Sequence, residues 1–150
     1  MPALIDIAVL SSAGWPALIV ECKGGNEVSA KGAARFRRNL LAHELVPDVP
    51  FYMLAYPNYL YLWKRESAPD SLPDFQAPSA SILKDYAPRL STHPSNVQGS
   101  SLELVMLSWL SDLAAGIRRP NPTFAAEQML LDSGLYKIIR DGKVTSRLAL

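Results

Sequence analysis

Residues 18–25 read LIVECKGG: three aliphatic residues, then Glu21, Cys22 and Lys23, closed by a glycine pair. Side chains alternate between the two faces of a strand, so Glu21 and Lys23 share one face with Ile19, while Leu18, Val20 and Cys22 share the other. Upstream, LIDIAVL (4–10) is a second strand of similar length, and SSAGW between the two is a turn signal, so 4–23 reads as a β-hairpin. Folding it about Ala13–Gly14 sets Asp6 across from Glu21 and Ala8 across from Ile19, with Ile5, Ile7 and Val9 on the opposite face. Directly opposed Cβ atoms stand about 4.5–5.5 Å apart. Two carboxylates that close repel one another unless a positive charge lies between them, and Lys23 is on their face.

The bulk of the chain bounds what such a site serves. With 150 residues the chain is sized for one domain, and 49% hydrophobic with 19% charged residues is ordinary for a soluble globular protein. A net charge of +1 excludes a polycation, so any grip on nucleic acid comes from a local patch. The single cysteine, Cys22, excludes an internal disulfide framework and a Cys-rich zinc site, and fits the reducing cytoplasm. Its place beside Val20 predicts a buried thiol rather than a nucleophile. No apolar run reaches the roughly 20 residues that span a bilayer, and MPALIDIAVL lacks the basic region and cleavage site of a secretory signal. The expected location is the cytoplasm, with no membrane partner.

Past a GGNEVSA loop, Ala33, Phe36, Leu40, Leu41 and Leu45 recur at helical spacing, which predicts a helix from about Val28 to Leu45, ended by VPDVP. FYMLAYP (51–57) and YLYLWK (59–64) predict a second hairpin about Pro57–Asn58. Residues 67–80, rich in proline and serine, read as linker or surface loop. SILKDYAPRL suggests a short helix and STHPSNVQGSS a loop. A helix is expected over Ser101–Ala115, a shorter one over Thr123–Ser133, and a helical turn in LYKIIRDG. The predicted architecture is α/β: a mixed sheet with a ββαββ core (1–66), a Pro/Ser-rich connection packed on the same domain (67–100) and a helical C-terminal part (101–150). Trp109 with Leu102, Val105 and Met106 is expected in the core or at a dimer seam through the C-terminal helices. Tyr52, Tyr56, Tyr59 and Tyr61 fill a sheet face more readily than they stack on bases. His43 and His93 are far apart in sequence and suit surface or cap roles.

Asp6, Glu21 and a backbone carbonyl such as that of Cys22 form an oxygen-rich set suited to Mg²⁺ or Mn²⁺. A metal there activates water and stabilises charge on a phosphate, and a nearby ammonium assists. Lys31, Arg35, Arg37 and Arg38 on the following helix are cations of the kind that grip a phosphate backbone. Arg37 and Arg38 are neighbours that cannot share a face, which leaves Lys31, Arg35 and Arg38 as the nucleic-acid-binding candidates.

Asp6 followed by Glu21-Cys22-Lys23 resembles the D…(D/E)-x-K signature of the PD-(D/E)xK nuclease superfamily, which includes restriction endonucleases. The element order over residues 4–64 resembles that family's α/β core, and RFRRNLLAHELVPDVPFYMLAYPNYLYLWK is similar to the helix-strand-strand of nuclease-like domains in type I restriction subunits. The resemblance implies a restriction-endonuclease-like fold and a Mg²⁺- or Mn²⁺-dependent hydrolase of nucleic-acid phosphodiesters, with DNA favoured over RNA. It implies Asp6 and Glu21 as metal ligands and Lys23 as the catalytic lysine. Ile5 stands where the family carries proline. The family core also opens with a helix, often acidic, before the first strand; either such a helix lies upstream or the C-terminal helices take its place, with Glu127 as the substitute acid. Two other readings fit the same residues: a nuclease-like domain of a restriction or mobile-element system that binds nucleic acid or a partner without cutting, and an interaction module whose hairpin charges form an ordinary salt bridge.

Overall fold

The computed structural model describes residues 4–25, 29–43, 47–91 and 96–149. Val28, Leu45 and His93, named above, lie outside them. The first hairpin is β1 (Leu4–Leu10) and β2 (Pro16–Cys22), closed by hydrogen bonds from Ser11 N to the Trp15 carbonyl and from Gly14 N to the Ser11 carbonyl. Gly14 has φ +90°, a left-handed conformation that glycine adopts without steric cost. The register is the expected one at Ile7–Val20, Ala8–Ile19 and Val9–Leu18, with an irregularity at Leu10. Asp6 is paired in neither ladder of β1. Strict alternation also fails there: Ile5, expected beside Ile7, packs instead in the cluster of Ala8 and Ile19.

Helix α1 (Ala30–Ala42) starts at Ser29, whose hydroxyl accepts from Gly32 N, and ends at His43, whose N–H bonds the Asn39 and Leu41 carbonyls. The cap role expected of His43 is thus met by its backbone. The chain returns as β3 (Phe51–Ala55), parallel to β2, and turns into antiparallel β4 (Tyr59–Lys64). β3 is buried at every residue because both faces of the sheet are covered, hence its unbroken apolar sequence.

Two strands escaped the sequence reading. β5 (Phe75–Pro78) pairs with β4 inside the stretch expected to be linker. It is a sheet edge, where a terminal proline is tolerated. β6 (Lys143–Ala149) pairs antiparallel with β1, so residues 101–150 are not wholly helical. The order is β5-β4-β3-β2-β1-β6, a six-stranded mixed open sheet that draws strands from all three segments named above.

The remaining helices are α2 (Ala80–Tyr86), α3 (Pro88–Ser91), α4 (Gly99–Ala115), α5 (Ala125–Asp132) and α6 (Leu135–Ile139). α1 covers one face of the sheet through Ala33 and Ala34, against Ile19, Tyr52, Leu54 and Trp63. The other face meets the C-terminal helices, with Trp109, Leu110, Met129 and Ile139 buried on it together with Val20 and Cys22. Trp109 is therefore core, as are Tyr52, Tyr56 and Tyr61. Among the described residues no helix is long and apolar enough to cross a membrane.

Candidate functional site

At the mouth of the hairpin, where the β1–β2 ladder stops, Asp6 Oδ2 accepts a 2.9 Å hydrogen bond from the Cys22 backbone N–H. The Asp6 side chain thus bridges the two strands just beyond the Ile7–Val20 pair. Partly buried Glu21 has its carboxyl pushed up to about 8, first by burial, then by the charge of Asp6 and its hydrogen bonding to Asp6, while Lys23 opposes the shift. The structure therefore brings together Asp6, Glu21 and Lys23. Lys23 donates its N–H to the Ala55 carbonyl at 2.9 Å and holds its Nζ 4.5 Å from the Phe36 ring centroid, which ties the ammonium to α1.

Burial also pushes the Cys22 thiol far up, with Asp6, Glu103 and Glu21 adding to it, so the thiol stays protonated and inert as a nucleophile. The Cys22 carbonyl faces the start of α4, 3.5 Å from where a Cβ on Gly99 would stand.

The charge of Glu103 on α4 also raises Glu21, a contribution the sequence reading missed. α4 runs close because Gly24 admits it: a Cβ on Gly24 would stand 2.3 Å from Gly99 N and 2.7 Å from the Val97 carbonyl oxygen. Gly25 N–H bonds that same carbonyl at 2.9 Å. Glu103 was visible only as the lone charge in SLELVMLSWL. Glu127, the acid suggested for this place, does something else. It is fully buried and accepts from Trp109 Nε1 (2.8 Å), Arg118 Nε (2.6 Å) and Asn121 N (2.8 Å), a saturated clamp among the C-terminal helices.

Lys31, Arg35 and Arg38 do share a face, lining one shallow pocket with Asp70 and Leu72. At 3.6 residues per turn they stand about 100–160° around α1 from Phe36, the residue that Lys23 covers. The structure groups the cations with one another and not with the acid pair. Arg37 points the opposite way, into the fold.

Comparison with protein-family models, with curated proteins and with solved structures finds no match. The chemistry has to be read from the site itself. Among the described residues, no three His, Cys, Asp or Glu side chains are grouped to hold a metal ion. The donor set is the Asp6–Glu21 pair, two oxygen ligands of the kind a hard divalent cation takes, with Glu21 holding a proton through burial first and the charge of Asp6 second.

Proposed function

We propose that the protein is a metal-dependent nuclease of the restriction-endonuclease-like kind, hydrolysing phosphodiester bonds of nucleic acid, DNA in preference to RNA, in the cytoplasm. The observation that carries this reading is the Asp6–Glu21 pair, which keeps a proton on Glu21 to about pH 8 beside the Lys23 ammonium. The element order supports it: an acidic hairpin, a crossing helix and a strand returning parallel to β2. So does α4, a C-terminal helix packed against the end of the hairpin and available to stand in for the family's opening helix.

Asp6 and Glu21 would hold Mg²⁺ or Mn²⁺. The metal supplies Lewis-acid stabilisation of phosphoryl charge and lowers the pKa of a bound water. Asp6, fixed by the Cys22 N–H, sets the position of the pair. Lys23, steered by Phe36, faces charge that develops on the phosphate. Glu103 adds negative potential that favours a cation over a bare carboxylate pair. A homodimer formed through the C-terminal helices would cover Leu104, 66% exposed on α4.

The test is cleavage of single- and double-stranded DNA and RNA with Mg²⁺ and with Mn²⁺. Activity above a Glu21→Ala control, with metal binding lost in Asp6→Ala, is the expected result; no cleavage above that control removes the proposal. One observation favours a second reading, a nuclease-like domain that binds nucleic acid without cutting: Lys31, Arg35 and Arg38 are grouped away from the acid pair. Salt-dependent binding indifferent to metal and to Asp6→Ala, without cleavage, would select it.

A further inference from the structure

Among the described residues, Arg37 is a buried cation with no carboxylate in direct contact. It is 5% exposed, its Nη1 and Nη2 donate to the Ala68 (2.9 Å) and Ser67 (3.4 Å) carbonyls, and its guanidinium lies 5.2 Å from the Trp63 ring centroid. Carbonyls and a ring solvate a guanidinium but do not neutralise it. Among the described residues no carboxylate pairs with it. Asp74, whose charge it feels, accepts from Lys64 N and Ser67 Oγ instead.

Next to Arg37 a second group is unsatisfied. Tyr52 is 4% exposed, and its hydroxyl has no hydrogen-bond partner among the described residues. Leaving such a buried group unmade is costly, so it calls for an occupant. Both residues line one cavity of about 170 Å³, walled by Leu41 and Val49, with Arg65 and Asp48 also on its lining. Arg65 is paired with Asp48 at 3.0 Å, and both side chains are largely exposed, so this pair forms the rim. Lys64 also borders the cavity, but its ammonium lies over the Phe75 ring, 5.5 Å from the centroid, and is not counted. Among the described residues the lining, Lys64 aside, therefore carries two cations against one carboxylate, with Arg37 at the inner end.

We propose that this cavity binds a single phosphate group, held by the Arg37 guanidinium and the Tyr52 hydroxyl, with Arg65 at the entrance. A tetrahedral oxyanion has acceptors in several directions, so one group meets a guanidinium and a hydroxyl together while cancelling the buried charge. The volume is large enough for one compact anion. Neither Asp6 nor Glu21 lines the cavity, and their charges, which reach the Tyr52 hydroxyl, oppose an anion there rather than hold it.

Calorimetry with inorganic phosphate, with EDTA present, tests it. The wild-type chain should show saturable one-to-one binding. Tyr52→Phe removes only the hydroxyl and should weaken binding by about tenfold, the effect of one charge-assisted hydrogen bond. Arg37→Gln also frees the Ser67–Ala68 backbone, so Tyr52→Phe, with its fold checked by circular dichroism, is the deciding variant. Asp6→Ala, which removes a negative charge that reaches Tyr52, should not lower phosphate affinity, which separates failure of this site from failure of the metal site. A 5′-phosphorylated oligonucleotide binding tighter than its 5′-hydroxyl twin, through Tyr52, makes the source a strand end; equal binding of the two beside saturable phosphate binding makes it the free anion. No saturation with phosphate, or equal affinity in Tyr52→Phe, overturns the proposal.

Discussion

Glu21 keeps its proton to about pH 8 in the fold, whereas its ordinary value is 4.5. Between those values the folded chain binds a proton that the unfolded chain has released, so stability must fall as pH rises through the interval. The stabilisation is complete below about 4.5 and gone above about 8. Urea melts in EDTA at several pH values should show this fall, and Asp6→Asn, which removes the charge beside Glu21, should lessen it without abolishing it, since burial is the larger cause. A slope unchanged in Asp6→Asn would mean that burial alone holds the proton. Because a bound cation displaces that proton, Mn²⁺ affinity should rise over the same interval. A paired comparison separates the two C-terminal acids. Glu103→Gln should weaken Mn²⁺ binding, since its charge reaches Glu21, while Glu127→Gln should not. Asp6, Glu21 and Lys23 were readable because strand alternation and one short turn fix their positions through local geometry. Glu103 was not, since a contact some eighty residues distant in the chain leaves no local trace beyond one acid in an apolar helix.

The glycine pair after Lys23 reads as an ordinary loop in the sequence, yet Gly24 decides where α4 sits. A Cβ at Gly24 would meet backbone atoms of Val97, Gln98 and Gly99, which cannot swing aside as a side chain could. Gly24→Ala should therefore cost about 1–3 kcal/mol or more, typical of overpacking, read as a lower denaturation midpoint. It should also move Glu103 and so weaken Mn²⁺ binding. The C-terminal helices hang on Glu127 in a comparable way. Glu127→Ala leaves the Trp109 indole N–H and the Asn121 N–H without acceptors. Arg118 keeps Asp85 at 2.9 Å, so the loss should fall near the low end of the roughly 3–5 kcal/mol for breaking a buried pair. The two missed strands share one cause. β5 and β6 are edges, each with one neighbour, so neither needs the apolar run that marked β3. β6 did have a signal: Asp141, at φ 65°, and Gly142 form a turn just before KVTSRLA.

Most of the fold was readable because hairpins, a crossing helix and the long α4 are local patterns. The layering was not, because no single segment says which face of the sheet it covers. That layering bears on how the chain would hold a polymer. α1 presents Lys31, Arg35 and Arg38 outward while Arg37 points into the fold, and Lys23, beside the acid pair, reaches the same helix at Phe36. If nucleic acid crosses α1 on its way to the acid pair, its phosphates meet those cations first. Each neutralised phosphate of a duplex adds about 0.9 to the slope of log affinity against log salt, and a single strand about 0.7. Replacing Lys31, Arg35 and Arg38 together by Gln should lower the slope by roughly 2–3 and weaken binding by the same factor for every sequence. Arg37 belongs outside that count, as it is buried in the fold and not on the outward face of α1. The measurement is fluorescence anisotropy of a labelled duplex from low to physiological salt, in EDTA so that the metal site takes no part. A slope that the triple variant leaves unchanged would show that nucleic acid approaches by another face, and would detach α1 from the proposed nuclease.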